Sequence, residues 1–176
     1  MRPSAFLPIA SAALCLLSLS GCGYHTLGAA THLPPEIKTL AVPVFATRTE
    51  ASGTELAMTQ AVIREFAART RFRVTADSGE DADAILHGTI LKQVTTPLTY
   101  NSATQQSSSF IITIVASVTL TAHDGRILYQ NKNYVFREQY QSTTNLPTFI
   151  QEDPAAIQRL SREFARQLVA DVLEGF

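Results

Sequence analysis

Cys22 is the residue whose position points most clearly to covalent chemistry. It stands between two glycines in "LSLSGCGYH", directly behind the hydrophobic segment that opens the chain. That segment has one charge, Arg2, followed by about fifteen apolar and small residues, fewer than the roughly 20 that a membrane-spanning helix needs. A basic start, an apolar middle and a small-residue end are typical of a secretory signal. We therefore predict that residues 1–21 are a signal peptide.

The order Leu19-Ser20-Gly21-Cys22 resembles the lipobox of bacterial lipoproteins. The resemblance implies that the Cys22 sulfur is acylated, that the chain is cut before Cys22, and that the new amine is acylated too. Several acyl chains hold a protein at a membrane, whereas one chain binds only weakly. In such lipoproteins an aspartate after the cysteine favours the inner membrane, so Gly23 favours the outer membrane. A plain secretory signal with a chance cysteine is the alternative.

Composition limits what the processed chain, residues 22–176, can be. It is long enough for one domain with a real core. The signal removes one basic and no acidic residue, so the net charge of −1 becomes −2, which argues against nucleic-acid binding. Cys15 leaves with the signal and Cys22 carries lipid, so no disulfide or thiolate metal site is expected.

The chain is also poor in charge. Charged residues make up 16% of it, against about 25% in an average protein. A polar surface with few charges suits a protein that is partly buried in a partner. Chance variation in a short chain is the alternative.

Hydrophobic periodicity predicts one α+β domain over residues 37–176, after a lipidated tether over residues 22–36. Alternation predicts strands over 37–45, 71–77, 84–100, 110–122 and 126–140, and helical spacing predicts helices over 54–69 and 154–173. This order predicts a mixed four- to five-stranded sheet with both amphipathic helices on one face. The first strand and the strand after the first helix can pair in parallel.

The strand over 110–122 has the clearest pattern. Its even-numbered residues are apolar and predict a core face, while its odd-numbered face is neither charged nor strongly apolar. Thr113 and Ser117, on the odd face, are our candidates for contact with a partner protein; an ordinary threonine-rich open face is the alternative. Asp124-Gly125 predicts the hairpin turn that follows.

Catalytic and metal-binding patterns are absent from the sequence. His87 and His123 have no ligand-type residue at metal-binding spacing, and Asp81 and Asp83 predict a solvated acidic turn. No G-x-S-x-G, H-E-x-x-H or glycine-rich phosphate loop occurs. We expect no enzyme activity, cofactor or metal; a hydrolase with a degenerate site is the alternative.

Three stretches together resemble the lipopolysaccharide-assembly lipoprotein family, LptE. They are "GCGYH", "LAVPVFATRTEASGTELAMTQAVIREF" and "ADAILHGTI". The resemblance implies an α+β lipoprotein, anchored by lipid on the periplasmic side of the outer membrane. It implies a plug inside the β-barrel partner LptD, which it helps to assemble and with which it delivers lipopolysaccharide to the outer leaflet. An auxiliary lipoprotein of another secretion or transport system is the alternative.

The family is thought to contact lipopolysaccharide through basic residues near one end of the sheet. No motif identifies these residues in this sequence. On charge near predicted strand ends, where a cation can reach an anionic headgroup, Lys92, Arg126 and Lys132 are the candidate ligands of lipopolysaccharide phosphates.

Replacing Cys22 with serine should abolish acylation, because the thiol is the atom that receives the acyl group. The variant should lack lipid mass by mass spectrometry and be soluble or unprocessed on fractionation. Cys15→Ser is the matched control, since this residue leaves with the signal, and its product should be acylated normally. Normal lipid mass on membrane-bound Cys22→Ser protein would contradict the lipobox interpretation.

Overall fold

A computed structural model describes residues 32–50, 53–77, 81–101, 106–141 and 146–175, without the side chains within 99–108 and 146–153. The signal segment and Cys22 lie outside these residues. Within the described ranges, no helix combines the length and the apolarity that crossing a lipid bilayer would require.

The described elements confirm the α+β class. They are, in order, β1 (Thr39–Ala41), β2 (Ala46–Thr47), α1 (Thr54–Arg69), β3 (Arg73–Thr75), β4 (Ala84–Asn101), β5 (Gln106–Ala122), β6 (Ile127–Gln141) and α2 (Leu146–Glu174). They form one six-stranded sheet in the order β3-β1-β4-β5-β6, with β2 also paired to β4. β1 pairs in parallel with β3, as predicted, and with β4. The β4–β5 and β5–β6 pairs are antiparallel.

Pro43 divides the first predicted strand in two. Proline has no backbone N–H to donate to a ladder, and β1 ends before it while β2 begins after it. Beyond the proline the predicted alternation fails, because Val44 is exposed and Phe45 is buried. The Phe45 N–H donates to Thr59 Oγ1 at 3.0 Å, and its ring lies against Gly88 of β4, where a Cβ would come within 2.4 Å of the ring.

Helical spacing predicts a buried stripe of α1 made of Leu56, Thr59, Ile63, Phe66 and Ala67, and this prediction is only partly right. Thr59 and Phe66 are buried, but Leu56 is 48% exposed and Ala67 is exposed as well. The helix packs against α2, and small residues on the contact face allow close approach. That packing selects a rotated face, made of Thr54, Ala57, Met58, Thr59, Ala61, Val62 and Phe66.

α2 begins earlier than predicted, at Leu146 rather than Pro154. A proline is tolerated in the first helical turn, where its missing N–H is not needed, and both Pro147 and Pro154 offer such a start. The helix uses the earlier one, so Pro154 lies inside it. The spacing of three and four residues predicts a buried stripe, which is confirmed at Leu160, Phe164, Leu168 and Val172, while Ile157, its first member, is half-buried.

The core lies between the two helices and one face of the sheet. The even-numbered residues of β5 from Ile112 to Leu120 are fully buried, as the alternation predicted. Phe164 of α2 makes edge-to-face contacts with the rings of Phe45, Tyr134 and Phe136, at centroid distances of 6.0, 5.7 and 5.4 Å. This one ring therefore joins α2 to β6 and to the segment before β2.

Phe164→Ala should lower the free energy of unfolding by about 3–5 kcal/mol, because it leaves a cavity among three aromatic rings. Thr113→Ala, on the opposite sheet face, should cost less than about 1 kcal/mol in the isolated domain. Denaturant titration of both variants measures the difference. Equal losses would mean that the face carrying Thr113 is covered as completely as the core.

Candidate functional site: the open face of the sheet

Both helices lie on one side of the sheet, and no described element covers the other. Facing residues of paired strands point the same way, so the register defines this open face. Its central row is the odd-numbered set of β5, whose side chains are all half-buried: Ile111, Thr113, Val115, Ser117, Thr119 and Thr121. The predicted location of Thr113 and Ser117 on the open face is confirmed; their contact with a partner stays a prediction.

A register shift in β4 brings Lys92 to this face. Ile90 faces Ala116 on the core side, yet the next pair is Lys92 with Val115. The extra residue, Leu91, reverses the alternation, since a slip of one residue moves every later side chain to the other face. Without it, Lys92 would point into the core. Lys92 is exposed. It lies in the middle of β4, whereas the sequence had predicted a position near a strand end.

Arg137 is a cation that the sequence analysis missed. It faces Thr113 across the β5–β6 ladder, while Thr113 faces Val94 on its other side. Arg137 therefore stands one row along the open face from Lys92. Strand spacing and residue rise put their Cα atoms about 12 Å apart. Only the long-range register reveals this proximity, because the two residues are far apart in the chain.

Lys132 belongs to the same region. Residues 132 and 133 together oppose Ser117, at a second irregularity in the β5–β6 ladder. Lys132 is exposed in the middle of β6, again away from a strand end.

Arg126 is not brought together with Lys92 and Lys132. It lies in the turn between β5 and β6, where its Nε is 3.7 Å from Asp124 Oδ2. Lys92 pairs with Val115 of β5, and the turn begins after Ala122, seven residues farther along that strand. Seven residues of strand span about 23 Å. The three predicted cations thus occupy two separate places.

The open face is positive although the chain is net negative. In the described parts of β4, β5 and β6 the single carboxylate is Glu138, and it pairs with Arg159 of α2. Glu138 faces Ile112 on the core side, so within the described parts of these strands no carboxylate lies beside Lys92 and Arg137 on the open face. Beside them lie Val94 and Val135, with exposed fractions of 38% and 39%. Such a surface can hold anionic oxygens beside apolar groups, or accept the wall of another protein.

A hydrogen-bonded pair holds β6 in place under α2. The Tyr134 hydroxyl donates to Asp171 Oδ2 at 2.6 Å and is also bonded to the Tyr129 hydroxyl. Burial, followed by the bond to Asp171, raises the pKa of Tyr134 above its usual range. The protonated hydroxyl ties the edge strand β6 to α2 through Asp171.

Asp83 fixes the entry of the chain into the sheet. Its Oδ2 accepts the N–H of Lys38 at 2.9 Å, the N–H of Thr39 at 2.8 Å and the hydroxyl of Thr39 at 2.8 Å. These bonds, the Lys38 N–H first, lower the pKa of Asp83. A solvated turn fits the exposed Asp81 but is wrong for Asp83. Within the described ranges, no group of three or more His, Cys, Asp or Glu side chains is arranged to hold a metal.

The fold is shared with bacterial proteins of known structure. Uncharacterized lipoprotein B from Nitrosomonas europaea aligns with a TM-score of 0.55 and 12% identity, over 86% of this chain and 90% of its own. A hypothetical protein from Chlamydia trachomatis aligns with a TM-score of 0.51 and 14% identity, over 80% and 97%. At these identities the likeness shows the fold alone.

Sequence comparison identifies the family. No curated protein matches the chain significantly, but the model of the lipopolysaccharide-assembly family LptE matches residues 37–172. The chain therefore belongs to the LptE family of lipopolysaccharide-assembly lipoproteins, which confirms the resemblance noted in its sequence.

Asp83→Asn should destabilise the domain at neutral pH, because an amide accepts the three bonds to Asp83 less strongly than a carboxylate. Because folding lowers the pKa of Asp83, its carboxylate contributes its full stabilisation above the unfolded pKa of 3.8. This contribution is lost as the pH falls through the folded pKa. The difference in the free energy of unfolding between wild type and variant, measured by urea titration, should therefore become smaller below about pH 4. Asp81→Asn is the exposed control and should show no such difference. If the difference in the free energy of unfolding between wild type and Asp83→Asn stayed constant down to about pH 2, the proposed cause would be contradicted.

Proposed function

We propose that this protein is an outer-membrane lipoprotein, anchored through Cys22 on the periplasmic side. It plugs an LptD-type β-barrel, helps that barrel to assemble and delivers lipopolysaccharide to the outer leaflet. Membership of the lipopolysaccharide-assembly family over residues 37–172 carries the proposal. The role requires binding and no bond-making step, which fits a sequence without a catalytic motif.

The open face supports contact with a barrel wall. Wide barrels have polar interiors, and small hydroxylated side chains such as Thr113 and Ser117 let such a wall come close. The odd-numbered side chains of β5 from Ile111 to Thr121 carry no charge, so that burying this row costs little desolvation, and area and shape complementarity supply the affinity. The low charged fraction of the chain agrees with this use of its surface.

The cations of the open face support contact with lipopolysaccharide. Lys92 and Arg137 can donate charge-assisted hydrogen bonds to phosphate oxygens, and Lys132 lies close by. Val94 and Val135 add apolar surface beside them. Arg126 is left out of this set, because its turn lies at the other end of β5.

Replacing both Thr113 and Ser117 with glutamate should break the complex with the barrel, because the longer side chains would keep the wall at a distance and their charges would be desolvated on contact, even with Arg137 opposite residue 113. The isolated domain should stay folded by circular dichroism. Gln158→Glu with Gln167→Glu, on the exposed side of α2, adds the same charge and serves as the control in co-purification. Full co-purification of the folded Thr113/Ser117 variant would remove this face from the interface.

Reversing Lys92 and Arg137 to glutamate should weaken lipopolysaccharide binding by about tenfold or more, because charged hydrogen bonds to phosphate are lost. Arg162→Glu with Arg166→Glu, exposed on α2, is the charge-matched control. Titration with purified lipopolysaccharide measures the effect. An equal loss in both pairs would show that net charge, and not the open face, governs binding.

A further inference from the structure

The position of the tether determines which end of the domain can meet a membrane. The His32 N–H donates to the carbonyl of Leu173, near the end of α2, at 3.1 Å, and Leu33 is buried. The path of the chain is therefore set from His32 onward. Ten residues separate His32 from Cys22, so a lipid on Cys22 can lie at most about 35 Å from this point.

An open cleft of about 370 Å³ lies at this same end, two residues from the tether exit. It is bordered by the segment after His32, the start of β4 and the β5–β6 turn. Its apolar lining consists of Pro34, Ile37 and Ala122.

The rest of the lining carries charges of both signs. Glu36 forms no ion pair with any described residue, whereas Asp83 in the wall is already engaged by three donors. Among the described residues Arg126 pairs only with Asp124, at 3.7 Å and with both side chains more than 60% exposed, so that this pair is solvated and weak. An anion can bind to Arg126 and a cation to Glu36 without breaking a strong interaction.

We propose that this cleft binds the zwitterionic headgroup of a phospholipid in the leaflet that holds the anchor, with the phosphate at Arg126 and the ammonium at Glu36. The proposal rests on the anchoring of Cys22 proposed above, which keeps this end near lipid. The apolar lining can accept the glycerol carbons. A ligand with several phosphates and no ammonium is disfavoured, because Glu36 and Asp124 would face it as unpaired like charges. The cleft and the open face thus prefer different lipids.

The test uses the acylated protein in dodecyl maltoside micelles, labelled with ¹⁵N. The probes are dihexanoylphosphatidylethanolamine, dihexanoylphosphatidylglycerol and inorganic phosphate, each titrated from solution. The ethanolamine lipid should shift the amides of residues 122–126 saturably. The glycerol lipid, which lacks the ammonium group, and phosphate should bind at least about fivefold more weakly.

Variants assign the two ends of the ligand. Arg126→Gln should weaken the ethanolamine lipid at least about fivefold, and Glu36→Gln should weaken it while leaving the glycerol lipid unchanged. Lys92→Gln, which removes a cation from the open face, is the matched control and should have no effect. The amide spectrum of each variant reports whether it is folded, and Glu36→Gln tests the site independently of the turn that contains Arg126.

Several results would overturn the proposal. The first is the absence of any localised amide shift. The second is equal binding of all three probes, which would mean a phosphate site only. The third is an effect of Lys92→Gln on binding as large as that of Arg126→Gln. Failure here is distinct from failure of the proposed function. The probes bind from solution, so unacylated Cys22→Ser protein should bind them equally. Arg126→Gln should leave barrel co-purification and lipopolysaccharide binding intact.

Discussion

The packing of α2 on the core face of the sheet, chiefly on β6, is the constraint on which the rest of the structure depends. Phe164 sits among aromatic rings from β6 and from the segment before β2, so that a single contact region joins distant parts of the chain. Because side chains alternate along a strand, burying one face of β5 exposes the other. The open face with Thr113 and Ser117 is therefore a direct consequence of where the core lies.

Departures from regular pairing are what give the open face its charge. The shift after Ile90 turns Lys92 outward, and the irregularity opposite Ser117 leaves Lys132 exposed. Arg137 needs no such device, because its ordinary register already faces it outward opposite Thr113. A domain with more acidic than basic residues thereby presents cations on one face of its described strands.

The two ends of the sheet serve different purposes in this account. At one end Asp83, which directly precedes β4, accepts hydrogen bonds from the start of β1. The β5–β6 turn and the cleft lie beside the tether exit at the same end. The cationic rows of Lys92 and Arg137 lie farther along β5. A lipid anchor would hold the first end near a membrane and leave the open face available to a barrel and to lipopolysaccharide. The separation of Arg126 from Lys92 would allow the two proposed lipid sites to lie apart on one small domain.

Local patterns in the sequence predicted the fold class, the family and most of the elements, but not the division of the first strand at Pro43 or the start of α2 at Leu146. Alternation determined the core face of β5, helical spacing determined the buried stripe of α2, and Asp124-Gly125 marked a turn in which Gly125 has φ +86°. Only the tertiary structure decided the rotation of α1, the roles of Asp83 and Arg137, and the separation of Arg126 from Lys92. Each of these depends on contacts between segments far apart in the chain. A period of two or 3.6 residues gives no information about register, helix rotation or an inserted residue such as Leu91, because these follow from which distant partners pack together.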